Sequence, residues 1–111
     1  IKAVDDQIGS PTFGKDLMGA VKKLIEQDAV GVFNLANKGV CSRYEFAREI
    51  VNILNPEIKV TPAKMVDFNL DAPRTFNEGL ISKVDLMRPW QEALKEYLET
   101  EWEPFVQAIK K

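Results

Sequence analysis

The chain contains no histidine. A histidine general base and a histidine metal ligand are therefore excluded. A single cysteine, Cys41, rules out an internal disulfide framework and fits a reducing cytoplasm, the expected location. No apolar run approaches the ~20 residues of a membrane span, and no secretory signal opens the chain. Charge of one sign is missing as well. Fifteen basic and 17 acidic residues are interspersed, leaving a formal net charge of −2. The Lys110-Lys111 pair is too short for a basic patch. Neither a membrane nor a nucleic acid is an expected partner. The six glycines never take the three-glycine spacing of a dinucleotide-binding turn.

What is present suits one small domain. The chain has 111 residues, 45% of them apolar, enough for a packed core. It starts at Ile1 rather than Met, and Ile1-Lys2-Ala3-Val4 reads as the middle of a strand. These features lead to the expectation of a piece cut from a longer protein.

Residues 1–6 read as a short strand. Leu17, Ala20, Val21, Leu24 and Ile25 recur at helical spacing and predict a helix over 14–27, ended by Asp28 and Gly31. The apolar run 30–36 predicts a buried strand, and Asn37-Lys38-Gly39 a turn. Ser42 and Glu45 have the spacing of a capping box. The helix they open carries Tyr44, Phe46, Ala47, Ile50, Val51 and Leu54 and stops at Asn55-Pro56. Ile58, Val60 and Pro62 suggest a third short strand. Residues 64–83 are irregular, with a turn at 71–74. Pro89 opens a last helix whose apolar stripe runs from Trp90 through Trp102, Phe105, Val106 and Ile109. Pro104 inside it predicts a kink. The expected fold class is α/β (α+β), with about four helices and three short strands.

Several residues could carry chemistry. Gly9-Ser10-Pro11-Thr12 joins the first strand to the first helix. Glycine allows unusual backbone geometry, proline fixes the next step, and Thr12 could cap the helix. Free amides at a helix start favour an anion such as a diphosphate. An ordinary strand-to-helix turn is the other reading. Arg74 offers a planar fork that matches phosphate oxygens from an irregular segment. It could equally be a surface arginine paired with Asp71 or Glu78. Asp5, Asp6, Asp67 and Asp71 lack the spacing of a calcium loop, so no metal site is expected. Cys41 beside a helix start could have a lowered pKa; a buried, inert thiol is the default.

Taken in order, Val4-Asp5-Asp6-Gln7-x-Gly9-Ser10-Pro11-Thr12, Gly31-Val32-Phe33-Asn34-Leu35, Cys41-Ser42-x-Tyr44-Glu45-Phe46-Ala47-Arg48-Glu49-Ile50, Val60-Thr61-Pro62 and Arg88-Pro89-Trp90-Gln91-Glu92-Ala93-Leu94 resemble the dTDP-4-dehydrorhamnose reductase family of extended short-chain dehydrogenase/reductases. The resemblance covers residues 4–98 and only the C-terminal, sugar-nucleotide-binding lobe. It implies one substrate-binding lobe over 1–111, with the Rossmann half missing. It implies an NAD(P)H-dependent oxidoreductase acting on a 4-keto-6-deoxy sugar nucleotide, in dTDP-rhamnose and polysaccharide biosynthesis. NADP or NAD would bind in the full-length parent and not in this fragment. Substrate contacts are implied at Gln7, Gly9, Ser10, Pro11, Thr12 and Arg74. At the position after Arg74, Thr75 stands where the family has proline. No residue here is expected to be catalytic. Tyr44 and Arg48 have the spacing of the family's Tyr-x-x-x-Lys pair, but Arg48 is the wrong base and the run is structural there. The missing Rossmann half and the nucleotide-sugar substrate are thus the implied partners. Self-association through residues 98–109 is a further expectation. A non-catalytic regulatory relative and a helix-mediated interaction domain remain alternative readings.

Overall fold

A computed structural model describes residues 1–104. It divides into two compact units. The first comprises Ile1–Gly9 and Val40–Gly79; the second comprises Ser10–Gly39 and the chain from Leu80 on.

In the first unit, strand β1 (Lys2–Val4) pairs in parallel with a strand at Thr61–Ala63, the fourth in chain order. The register sets Lys2 against Thr61 and Val4 against Ala63. Strand β2 (Ile8–Gly9) pairs antiparallel with β3 (Cys41–Ser42). Thr61–Ala63 is therefore β4, three residues later than the strand the sequence suggested. The β2–β3 pair was not anticipated, because two-residue strands leave no periodic signal.

Ser42 closes β3 and caps the helix Arg43–Leu54, the second helix in the chain. Its hydroxyl accepts from the Glu45 amide at 3.0 Å, and the Glu45 carboxylate accepts from the Ser42 amide at 3.1 Å. That is the expected capping box, and it satisfies two amides that a helix start leaves open. The helix packs on β1 and β4 and ends before Asn55-Pro56, as expected. Arg48 lies over the Tyr44 ring, 5.4 Å from its centre. Three of the four aspartates considered for a metal site hold the chain near β4 instead. Asp5 accepts from the Lys64 ammonium at 2.8 Å, Asp6 from the Met65 amide, and Asp67 from the Lys64 amide. Met65–Asp67 is a single 3-10 turn. Among the described residues no cluster of acidic or cysteine side chains is arranged to hold a metal.

In the second unit, helix α1 spans Gly14–Glu26, which makes Arg43–Leu54 α2. The α1 exit is built from backbone. Asp28 adopts a left-handed conformation, φ 52°. Its amide donates to the Ile25 carbonyl, and the Ala29 amide to the Leu24 carbonyl. This paired closure satisfies helix-end carbonyls, and aspartate tolerates the left-handed region better than most residues. Gly31, with φ 115°, lies beyond it.

Residues 32–36 depart from expectation. They are free of helix, turn and bend, yet they form no strand. The expected buried strand is instead exposed at Val30 and Val32. The physical reason is that a strand needs a neighbour for its amides and carbonyls, and none of the described residues supplies one.

The core of this unit comprises Ala20, Ala36, Met87, Trp90, Ala93, Leu94 and Leu98. Helix α3 (Trp90–Tyr97) supplies Trp90, Ala93 and Leu94 and continues into a π turn at Leu98–Trp102, which adds Leu98. Pro104 cannot donate to the carbonyl four residues before it, and the wider turn lies just upstream. Tyr97 meets Phe13 edge to face at 5.9 Å. Ile25, expected on the core face, is exposed. Phe105, Val106 and Ile109, and so most of the stripe expected to self-associate, lie outside the described residues.

One buried polar group organises this core. Asn37 is 2% exposed. Its side-chain oxygen accepts from the Phe13 amide at 2.8 Å. Its nitrogen donates to the Asp16 carboxylate at 2.8 Å and to the Arg88 carbonyl at 3.0 Å. Arg88 in turn holds Asp16 in a two-pronged contact at 2.9 and 3.2 Å and reaches Glu96 at 3.1 Å. Replacing Asn37 with Ala leaves the Phe13 amide without its partner and takes one donor each from the Asp16 carboxylate and the Arg88 carbonyl, which keep the Arg88 side chain and the Lys38 amide. We expect a loss of about 2–3 kcal/mol in urea denaturation, whereas Lys15→Ala, at an exposed ion pair with Glu96, should change stability by less than about 0.5 kcal/mol.

The same network predicts a pH dependence. Burial pushes the Asp16 carboxyl upward, but hydrogen bonds from Arg88 and Asn37, together with the Arg88 and Lys15 charges, outweigh it. The carboxyl is held below its ordinary value of 3.8. A group lowered in the folded state stabilises the fold above its unfolded pKa and ceases to do so as pH falls through the folded one. This contribution should be constant from neutral pH down to about 5 and fall away below about pH 4. Asp16→Asn should be less stable at neutral pH, and its acid unfolding curve should be shallower in that window. Parallel curves for both proteins would show that Asp16 carries no such share.

Candidate functional site

The implied binding residues fall in both units. In the first unit, Gln7 and Gly9 lie in and beside β2. The Gln7 carbonyl accepts from the Arg43 amide at 3.2 Å, at the start of α2. Gly9 sits opposite Cys41 in the ladder. Its φ is not in the left-handed region, and a methyl group placed on it would meet nothing within 4 Å. The expectation that glycine is needed there for unusual geometry is thus not met; the strand pairing is open to other residues.

The segment carrying Arg74 is tied to β2 through Ile8. The Ile8 amide donates to the Phe76 carbonyl, and the Glu78 amide donates to the Ile8 carbonyl, both at 2.8 Å. Asn77 turns the chain by accepting from the Gly79 amide. Gly79 packs against Val40, where an added methyl would approach to 2.8 Å. Arg74 is exposed. Its expected structural partners are not used: Glu78 accepts instead from the Thr75 hydroxyl at 2.9 Å. Among the described residues Arg74 makes no ion pair with Asp71 or Glu78.

In the second unit, Ser10, Pro11 and Thr12 form the turn into α1. The Ser10 hydroxyl accepts from the Leu80 amide at 2.8 Å, which fixes the turn to the start of the next segment. Thr12 does not cap the helix. Its hydroxyl donates to the Ser10 carbonyl at 3.0 Å. Phe13 is the capping position, and its amide is satisfied by Asn37, 24 residues away. The amides of Gly14, Lys15 and Asp16 remain the helix-start donors. Asp16 brings a negative charge to the same turn, which Arg88 neutralises.

Asn37 was absent from the expected site residues. In the sequence it looks like the first residue of a turn, and nothing local marks its amide as the cap of a helix elsewhere. Its neighbour Gly39 does lie in the left-handed region, φ 90°, and a methyl group there would meet Trp90 at 3.2 Å. The 37–39 turn is held to the start of α3 by bonds from the Lys38 amide to the Arg88 carbonyl and from the Trp90 amide to the Lys38 carbonyl.

Cys41 is buried and free. Burial, with a smaller push from Glu45, raises its pKa to about 11, against a weaker opposing pull from Arg43. The lowered pKa considered from its place near a helix start is overturned; the thiol stays protonated and inert at neutral pH. Among the described residues no helix is long and apolar enough to cross a membrane.

The RmlD substrate binding domain model matches residues 1–102. The spore coat polysaccharide biosynthesis protein SpsK of Bacillus subtilis is 36% identical over 104 residues, covering 89% of this chain and 36% of SpsK. The dTDP-4-dehydrorhamnose reductase of Mycolicibacterium smegmatis is 33% identical over 105 residues, covering 86% of this chain and 32% of the reductase. Among solved structures, a dTDP-4-dehydrorhamnose reductase from Clostridium acetobutylicum superposes with a TM-score of 0.84 at 37% identity, covering 89% of this chain and 38% of that one. The Bacillus anthracis reductase, solved in complex with NADP, gives 0.81 at 33% identity, with 90% and 38% covered. The chain therefore spans about a third of the length of the relatives it matches, 32–38%. With the order of its motifs and its mixed α/β fold, this places it in the RmlD substrate-binding domain family.

Proposed function

We propose that this chain is the sugar-nucleotide-binding part of an NAD(P)H-dependent reductase of the dTDP-4-dehydrorhamnose reductase kind, acting in the cytoplasm. The match to a substrate-binding family over residues 1–102 carries the reading. In it both compact units serve one lobe, and the cofactor and the proton donor belong to a Rossmann half in the rest of the parent. Hydride transfer from the nicotinamide to the 4-keto carbon is the chemistry supplied there. The residues here bind and orient. Arg74 presents two parallel donors to diphosphate oxygens. Ser10, through its link to Leu80, holds the 10–12 turn in one shape, so that Thr12 and the backbone need not be ordered on binding.

Two experiments test this. The purified 111-residue chain should not oxidise NADPH in the presence of a dTDP-4-keto-6-deoxy sugar, whereas the full-length parent should. Turnover by the isolated chain, or an inactive parent that still binds the sugar nucleotide, would overturn it; the latter outcome would identify a regulatory relative.

In the parent, Arg74→Ala should weaken binding of the sugar nucleotide and leave NADPH binding intact. A charged hydrogen bond contributes about 1.5–3 kcal/mol, so the dissociation constant should rise about tenfold or more. Gln7→Ala and Thr12→Ala should show the same selectivity at smaller size. Calorimetry showing an unchanged dissociation constant for Arg74→Ala would remove that residue from the site.

A further inference from the structure

Ile8 holds the chain that follows Arg74 by two backbone bonds. Its amide donates to the Phe76 carbonyl and its carbonyl accepts from the Glu78 amide, both at 2.8 Å, with Ile8 and Asn77 paired in parallel register. The Asn77 side chain adds a bond from the Gly79 amide at 2.9 Å. The backbone from 76 to 79 is thus set, while residues 74, 75 and 78 are all exposed. One side-chain bond joins two of these three: the Thr75 hydroxyl donates to Glu78 Oε1 at 2.9 Å. That bond brings a carboxylate to the residue next to Arg74. Consecutive Cα atoms are about 3.8 Å apart, so the Glu78 carboxylate lies within reach of the Arg74 guanidinium. It is nevertheless Thr75 that holds it, and Arg74 makes no ion pair among the described residues. A two-pronged pair of arginine and carboxylate needs both carboxylate oxygens. With Oε1 taken by a hydroxyl, Glu78 has only one to offer.

We propose that Thr75 is a positioning residue for diphosphate binding: its hydroxyl holds the Glu78 carboxylate off Arg74 and so leaves that guanidinium to the ligand. The proposal rests on the reading of Arg74 as the arginine that takes the diphosphate. Glu78 and a diphosphate compete for the same fork of donors. The carboxylate is tethered four residues away, so a pair between it and Arg74 would have to be broken before a ligand could bind. An exposed pair of that kind is weak, and the effect on affinity is accordingly a few fold rather than orders of magnitude. Thr75 touches no ligand in this arrangement; it acts only through Glu78 and Arg74. Only the hydroxyl is required, so serine can replace threonine, whereas valine has nearly the same shape and no donor.

The test uses the full-length parent, with dTDP as the diphosphate probe in calorimetry. Thr75→Val should raise the dissociation constant about two- to fivefold, the range an exposed ion pair supports. Thr75→Ser should bind as the unaltered protein does. Adding Glu78→Gln to Thr75→Val removes the competing charge and should restore the original affinity. In an Arg74→Ala background, Thr75→Val should have no further effect, since residues that act through one another are not additive. NADPH binding should be the same in every variant. An unchanged dissociation constant in Thr75→Val overturns the proposal. So does a loss that persists in the Thr75→Val/Glu78→Gln double variant, because the hydroxyl would then act by shaping the loop or by touching the ligand. A measurement without ligand separates this inference from the functional reading. In the parent labelled with 15N-arginine, the Arg74 Nε–H signal, identified by its loss in Arg74→Ala, should move in Thr75→Val and return in the double variant. If the signal moves in this way but Arg74→Ala binds dTDP normally, only the role of Arg74 in binding falls. If the signal does not move, Thr75 is not what keeps Glu78 from Arg74, and the proposal falls whatever Arg74 binds.

Discussion

A primary amide buried to 2% exposure has to satisfy both of its ends, and Asn37 does so with three partners, two at the start of α1 and one just before α3. Its oxygen closes the first open amide of α1. Its nitrogen shares the Asp16 carboxylate with Arg88 and also reaches the Arg88 carbonyl. The side chain thereby fixes where α1 begins, where α3 is approached, and which way the Asp16 carboxylate points. Few other groups could do this. A hydroxyl lacks the second donor, and a carboxylate in its place would set two like charges against Asp16. A well-satisfied polar hub of this kind contributes little net energy per bond, but is costly to disturb. The packing of Trp90, Leu94 and Leu98 is built on a geometry that Asn37 has already set.

The capping box shows what the sequence made legible. Ser42 and Glu45 act on each other across three residues, so their spacing alone contains the interaction. The same holds for the apolar stripe of α3 and for the stop at Asn55-Pro56. Thr12 and Asn37 show the reverse. Thr12 stands where a cap belongs by spacing, yet the cap comes from 24 residues away and the threonine turns back to Ser10. Local rules rank candidates for a position; they cannot see a competitor that only the tertiary fold delivers. The two-residue strands were missed for a related reason, since a pairing that short is defined by its partner and not by its own pattern.

The run 30–36 is the most instructive departure. The apolar composition called for a buried strand, and the composition was a sound guide to the environment the segment is suited to. It was no guide to whether that environment is supplied by these 111 residues. Burial is a property of the whole assembly, whereas periodicity is a property of the segment.

Charge at the start of α1 bears on how such a lobe would hold a diphosphate. Helix-start amides attract anions, and the resemblance draws attention to the 9–12 turn for that reason. Asp16, however, already occupies the first turn, and Arg88 is committed to neutralising it while also holding Glu96. Lys15 is drawn to Glu96 as well. The cations nearest to that helix start are thus balanced by carboxylates before any ligand arrives, which leaves the amides as donors without a net positive field. Hydrogen bonding from the turn can fix the orientation of a ligand there, but strong attraction to a doubly charged diphosphate calls for a guanidinium that is not already paired. Within its own unit Arg74 is exposed, and its neighbouring carboxylate Glu78 accepts from the Thr75 hydroxyl instead; an exposed guanidinium has only water to give up, which costs less than breaking an internal ion pair.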